Sequence, residues 1–188
     1  MKYCTACGND VRWDIPDNDN RERHICNHCG QIHYQNPRII AGSVPVHGDQ
    51  ILLCRRAIEP RRGFWTLPAG FMENGETVQQ AAERETLEEA NARVRVESLY
   101  TLFNLTHINQ IYMFFRAELA VPEFSAGPES LEVALFSEAE IPWDELAFAV
   151  VERTLRLHFE DRLQGNYPFR IEDIHRSDPP FSKRPRTP

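Results

Sequence analysis

Two groups of residues in this chain have the types and the spacing for metal chemistry. Cys4-x2-Cys7 and Cys26-x2-Cys29 are two knuckles separated by eighteen residues. That arrangement is a strong zinc signal, and four thiolates leave no open position for water, so the ion is expected to be structural. Gly8 and Gly30 follow the knuckles and suit a tight turn around a thiolate pair. The second group is acidic: Glu85, Glu88 and Glu89. At 3.6 residues per turn they continue the small apolar stripe Val78, Ala81 and Ala82. Unpaired carboxylates are expensive to bury, so this face is either wet or holds cations. Hard cations such as Mg²⁺ take oxygen ligands of this kind. A solvated acidic helix face would explain the three glutamates on their own equally well.

The elements that must position these residues are legible nearby. Residues 77–90 contain no Gly and no Pro and much Ala, Glu and Gln, which favours a helix of about four turns. Thr77 and Gln80 fit a capping box at its start. Pro68-Ala69-Gly70 reads as a loop whose bare backbone can approach a metal or a phosphate. Strands are expected over residues 38–46 and 50–55, joined across His47-Gly48-Asp49, and over 93–103, 107–119 and 131–136. A second amphipathic helix is expected over about residues 144–163, with Leu146, Val150, Thr154 and Leu157 along its stripe. The periodicity describes a mixed α/β domain.

Composition bounds the function. The chain has 188 residues, 41% of them apolar, enough for one ordinary domain and a small one. A net charge of −7 argues against a general nucleic-acid binder. No apolar run approaches a membrane span, and the first residues lack the apolar stretch of a signal peptide, so a cytoplasmic protein is expected. That makes two disulfides a poor reading of the four cysteines. A segment of about 35 residues buries little core, so a metal is a sensible staple. His24, His28 and His33 lie near the knuckles and read as surface residues. Cys54, inside Ile51-Leu52-Leu53-Cys54, reads as a small buried apolar residue.

The spacing Gly70, five residues, Glu76, seven residues, Arg84-Glu85, two residues, Glu88-Glu89 resembles the Nudix box. The chain is similar to the Nudix hydrolase superfamily there. Asn91 stands where the box usually has Gly, and Asn tolerates the left-handed turn that ends a helix. Thr86 stands where an aliphatic residue is usual and should give up some packing. The resemblance implies an α/β/α sandwich with a mixed sheet, preceded by a zinc ribbon. The division expected is a ribbon over residues 1–36, a Nudix domain over 37–175 and a flexible Pro-rich basic tail over 176–188. The activity implied is hydrolysis of a nucleoside diphosphate linked to another group. Glu85, Glu88 and Glu89, with a carbonyl at Gly70, would ligate Mg²⁺ (or Mn²⁺), and Glu85 and Glu89 are closest in angle. Arg84 would orient these carboxylates, and Glu76 would support it. The general base would be Glu129 or Glu132 in the acidic loop Gly127-Pro128-Glu129-Ser130-Leu131-Glu132. A metal-bound hydroxide oriented by a box glutamate is the other option.

The substrate half is less defined. Arg55, Arg56, Arg61 and Arg62 precede the box, and Phe64, Trp65 and Tyr112 are available. Arginines suit phosphate and aromatic faces suit a stacked ring. Arg55, Arg62, Trp65 and Tyr112 are the candidate substrate contacts, against the reading of a core Trp and surface arginines. The ribbon, the box, Ile32-His33-Tyr34-Gln35-Asn36-Pro37, Gly63-Phe64-Trp65-Thr66-Leu67-Pro68-Ala69-Gly70, the acidic loop and Leu146-Ala147-Phe148 together resemble the zinc-ribbon Nudix group that includes plant FAD pyrophosphatases. This points to FAD or ADP-ribose as substrate, with AMP released. NADH or NAD-capped RNA is the alternative. The SQPWPFPxS segment of NADH pyrophosphatases is not visible in Leu102 to Phe115, which reads LFNLTHINQIYMFF. A third reading is a nucleotide-sensing protein, although a sensor need not keep all three box carboxylates. The expected partners are a small dinucleotide and a second copy of the chain, with no membrane and no nucleic acid.

Overall fold

The structure is a computed structural model that describes residues 1–176. The basic tail read from Ser177 onward lies outside those residues. The chain divides between Pro37 and Arg38 into two compact units.

The first unit is a three-stranded antiparallel sheet: β1 (Val11–Asp14), β2 (Arg23–Cys26) and β3 (Ile32–His33). Its few buried apolar groups are Cys4, Ile25 and Cys26. So small a core cannot hold the unit alone. His24 and His33 are half-buried and His28 is exposed.

The second unit is built on a mixed sheet. It comprises β4 (Arg38–His47), β5 (Gln50–Arg56), β6 (Trp65–Thr66), β7 (Ala69–Phe71), α1 (Val78–Ala90), β8 (Arg95–Leu105), β9 (Gln110–Glu118), β10 (Ser130–Phe136), α2 (Ala149–Gln164) and β11 (Arg170–Asp173). The main order is β10-β5-β4-β9-β8-β11, with β6 beside β5 and β7 beside β4. The β4–β9 and β8–β11 pairs are parallel and the others antiparallel. Strand alternation sends Val44, Ile51, Leu53 and Phe114 to one face, where Val150, Val151 and Leu155 of α2 cover them. Ala41 and Phe115 face the other way, against Ala81 and Ala82 of α1. Leu52 and Cys54 pack near Ala90 at the end of α1. The result is the α/β/α sandwich.

The local signals place α1 correctly. Thr77 and Gln80 form the reciprocal capping box, and Asn91 ends the helix in the left-handed region at φ 47°. Four expectations need correction. Residues 144–148 do not belong to the second α-helix. Trp143–Glu145 form a 3-10 turn, and the Ala147 N–H then donates to the Trp65 carbonyl at 2.8 Å, so α2 starts only at Ala149. Gly70 lies in β7, paired with Ala41, and not in a loop. Residues 106–108 are a 3-10 turn ending at left-handed Asn109, so the strand expected from 107 starts at Gln110. Thr86 does not lose packing. It is fully buried, and its hydroxyl sits 2.6 Å from Ser43 Oγ and donates to Ala82 O at 2.7 Å.

Candidate active site

The cysteine quartet is already gathered. All four sulfurs lie within 4.8 Å of one another, with Cys7 Sγ 3.5 Å from those of Cys26 and Cys29 and Cys4 Sγ 3.8 Å from that of Cys29. A tetrahedral ion with metal–sulfur bonds near 2.3 Å places its sulfurs about 3.8 Å apart, so the quartet fits. Backbone N–H groups of Ala6, His28 and Cys29 point at the Cys4 and Cys26 sulfurs, as thiolate charge requires. The Asn9 side chain, then its backbone N–H and the Cys26 thiol, pull the Cys7 thiol down to about 6.

The acidic group is organised by one cation. Arg84 donates from Nε and Nη2 to both oxygens of Glu76 at 3.0 and 2.8 Å, and from Nη1 to Glu85 at 2.7 Å and Glu88 at 3.0 Å. It also reaches the Phe71 carbonyl at 3.1 Å, tying α1 to the end of β7. Paired with Arg84, Glu76 is held down at about 2. Glu85 and Glu89 are buried, and Glu88 is exposed. Burial, then the Glu85 charge, pushes Glu89 up to about 8, although the Ala69 N–H donates to it at 3.2 Å. Burial also raises Glu85. Two buried carboxylates that resist ionisation together are the donor set a hard divalent cation satisfies. Gly70 is the cradle: a Cβ there would lie 2.3 Å from Glu85 Oε1. Among the described residues only the cysteine quartet has three or more ligand atoms within 4.8 Å, so Glu85, Glu88 and Glu89 do not converge as closely.

These residues line a cavity of about 1380 Å³. The sequence candidates divide here. Gly70, Arg84, Glu85, Glu88, Glu89, Tyr112 and Glu129 line it; Glu76, Glu132, Arg55, Arg62 and Trp65 do not. Glu76 lies outside the lining and is bound to Arg84. Glu132 sits on β10, 3.6 Å from Arg55, whose Nε donates to Gly63 O at 2.9 Å. Trp65 is a core residue, edge-on to Phe136 at 4.9 Å. Glu129 is the glutamate of the acidic loop whose charge reaches Glu85 and Glu89.

The wall contains residues the sequence reading passed over. Arg56 lines the cavity, lies over the Phe148 ring at 5.1 Å, and its charge reaches Glu89 and Tyr112. Strand parity was the available signal. Arg56 follows Cys54 on the Glu89 side of β5, and Arg55 lies on the opposite side. Ile58, Phe71, Leu87 and Ile108 are exposed apolar residues of the same cavity. Ile174, His175 and Arg176, just after β11, complete the lining. The strand reading did not extend that far.

Two family models match the chain: Nudix N-terminal over residues 2–35, a zinc ribbon, and NUDIX domain over residues 36–157. A NUDIX hydrolase from Nitrosomonas europaea has a crystal structure 52% identical to this chain, with TM-score 0.91 over 94% of this chain and 100% of its own. The NAD-capped RNA hydrolase NudC of Yersinia enterocolitica is 33% identical over 133 residues, 69% of this chain and 48% of that protein. The chain thus spans about half the length of this curated relative. A bifunctional NMN adenylyltransferase/ADP ribose pyrophosphatase from Francisella tularensis shares the fold at 21% identity and TM-score 0.57, over 68% of this chain and 42% of that one. With the box geometry in α1 and a family model across most of the second unit, this chain belongs to the Nudix hydrolase family and carries the family's N-terminal zinc-ribbon domain.

Proposed function

We propose that the chain is a divalent-cation-dependent pyrophosphatase that cuts the diphosphate bridge of an NAD-type dinucleotide, either free NADH or the NAD cap of an RNA. The observation that carries this reading is the Glu85, Glu89 and Gly70 cradle in the wall of a cavity of about 1380 Å³, larger than a drug-sized ligand needs. The NudC name of the curated relatives supports NAD over other dinucleotides. The net charge of −7 speaks against tight binding of an RNA body, but only the cap has to enter the cavity.

In this reading Glu85, Glu88, Glu89 and the Gly70 carbonyl hold Mg²⁺ or Mn²⁺, and the cysteine quartet holds Zn²⁺. The bound divalent cation neutralises the diphosphate and lowers the pKa of a bound water. Arg84 keeps the box carboxylates apart and aimed. Glu129 accepts the proton of the attacking water. Oxygen adds to one phosphorus, and the bridging oxygen leaves with the other phosphate. Two monophosphates result: the reduced nicotinamide mononucleotide and AMP from NADH, or NMN and an RNA bearing a 5′-monophosphate from the NAD cap. Arg56 pairs with the diphosphate, and the rings of Tyr112 and Phe148 with the apolar rim suit flat heterocycles.

FAD or ADP-ribose is the second reading, favoured by the missing SQPWPFPxS pattern in Leu102–Phe115. A turnover panel decides. Purified protein with Mg²⁺ or Mn²⁺ is given NADH, NAD-capped RNA, FAD and ADP-ribose at equal concentration, and monophosphate release is followed. Fastest cleavage of NADH or capped RNA is expected. FAD or ADP-ribose leading would replace the NAD reading, and no cleavage of any would favour a nucleotide sensor.

A further inference from the structure

We propose that Asn91, one of the two residues that depart from the usual Nudix box, is a positioning residue that docks the Glu129 loop onto the box helix. The inference rests on the proton-acceptor role given to Glu129 above.

The geometry is specific to a side chain at this position. The left-handed turn at Asn91 points its amide at residues 125–126. Nδ2 donates to Ser125 O at 3.3 Å, Ser125 Oγ at 3.1 Å and Ala126 O at 3.2 Å. The backbone of the same loop adds two bonds to the last turn of α1: Ser125 N–H to Ala90 O at 2.9 Å and Gly127 N–H to Glu89 O at 3.0 Å. These carbonyls have no partner within the helix, so the loop caps its C-terminus. The approach is close enough to need glycine: a Cβ on Gly127 would fall 1.7 Å from Glu88 O. From Gly127 the chain turns within three residues, Ser130 N–H to Gly127 O at 3.0 Å, with Pro128 and Glu129 at the corner. Ala57 N–H then fixes the Glu129 carbonyl at 2.8 Å. Glu129 therefore sits three residues beyond the Asn91 contacts on a short, tethered path, and its charge reaches Glu85 and Glu89.

The glycine usual at this place in the box would allow the same helix end and keep the two backbone bonds, but would lack the three side-chain contacts. The departure at Asn91 therefore strengthens the hold of the box helix on the Glu129 loop. One part of the chain then sets the distance between cation ligands and proton acceptor, the separation on which attack geometry depends.

The test uses the full chain with its best substrate and saturating Mg²⁺. Asn91→Gly keeps the left-handed turn and removes only the amide. It should lower kcat about tenfold, with KM and the Mg²⁺ activation constant within twofold of wild type. In a Glu129→Gln background the same change should alter kcat less than twofold. Ser125→Ala, which keeps the backbone acceptors, should fall between wild type and Asn91→Gly. A wild-type kcat for Asn91→Gly, or an equal loss in both backgrounds, would overturn the positioning role. The latter would mean that Asn91 acts on the box alone. A wild-type kcat for Glu129→Gln would remove the proton-acceptor assignment itself, and with it this inference. A low Glu129→Gln with a normal Asn91→Gly removes only the inference.

Discussion

His158 should make the second unit acid-labile by an amount the structure sets. The imidazole is almost completely buried on α2, with Phe159 at 5.5 Å, Tyr167 at 5.3 Å and Tyr100 of β8 at 6.4 Å between ring centres. Arg116 of β9 lies over Tyr167, and Arg162 lies on α2. Burial first, then these two guanidinium charges, press the imidazole down to about 4; Asp161 opposes them only weakly because it is bound to Tyr100 and Arg170. His158 Nδ1 has no hydrogen-bond partner among the described residues, so none of them holds a proton there. The unfolded chain protonates this histidine at its ordinary value near 6.5 and the folded chain near 4. Stability is therefore complete above pH 6.5 and falls as pH drops through that window. Between pH 7.5 and 4.5 the loss from this group is about 2.5 kcal/mol. Urea unfolding at several pH values, for wild type and His158→Leu, isolates it. The substitution shifts stability by a constant, but its curve should lack the extra slope of up to one proton. Parallel curves for the two proteins would refute the buried neutral imidazole.

The remaining predictions concern the site and the ribbon. Glu89→Gln should remove several kcal/mol of charge stabilisation, roughly 10³-fold in turnover, while circular dichroism stays native; near-wild-type rates would contradict the cation assignment. Gly127→Ala should cost roughly 1–3 kcal/mol of stability through the clash with Glu88 O, read as a lower urea midpoint. An unchanged midpoint would mean that the loop does not press on the helix. Metal analysis should find one zinc per chain, and Cys26→Ser should make residues 1–37 protease-sensitive with the second unit still folded. Resistance of that segment would show that the thiolates are not its staple.

What could be read in the sequence was what is decided locally. The box helix depends on contacts within four residues: Thr77 to Gln80 at one end, Asn91 to Leu87 at the other. The cysteine quartet was legible because thiolate spacing is itself the signal. The misread parts depend on distant partners. Leu146 to Phe148 have helical periodicity, yet the Trp65 carbonyl, eighty-two residues before Ala147, claims the N–H that a helix would use. Gly70 reads as loop until Ala41 pairs with it. Charge alone does not separate Arg55 from Arg56; only strand parity on β5 turns Arg56 toward the cavity. Trp65 fills the core because Phe136 and Leu146, far along the chain, meet it there.

The parallel pairing of β8 with β11 also bears on how the molecule is made. Arg170 to Asp173 align with Thr101 to Asn104, about seventy positions earlier in the chain. Arg170 clamps Asp161, and Arg153 clamps Glu172, so the last strand docks only after α2 exists. Synthesis runs from the N-terminus, and β11 is the last of the described elements to emerge. Until then β8 is an open sheet edge, a place where a nascent chain can pair wrongly. The stretch Ile174 to Arg176 follows directly, so the same event that pairs β11 with β8 completes the cavity wall. A nascent chain that lacks this last strand has its box carboxylates but not its finished cavity.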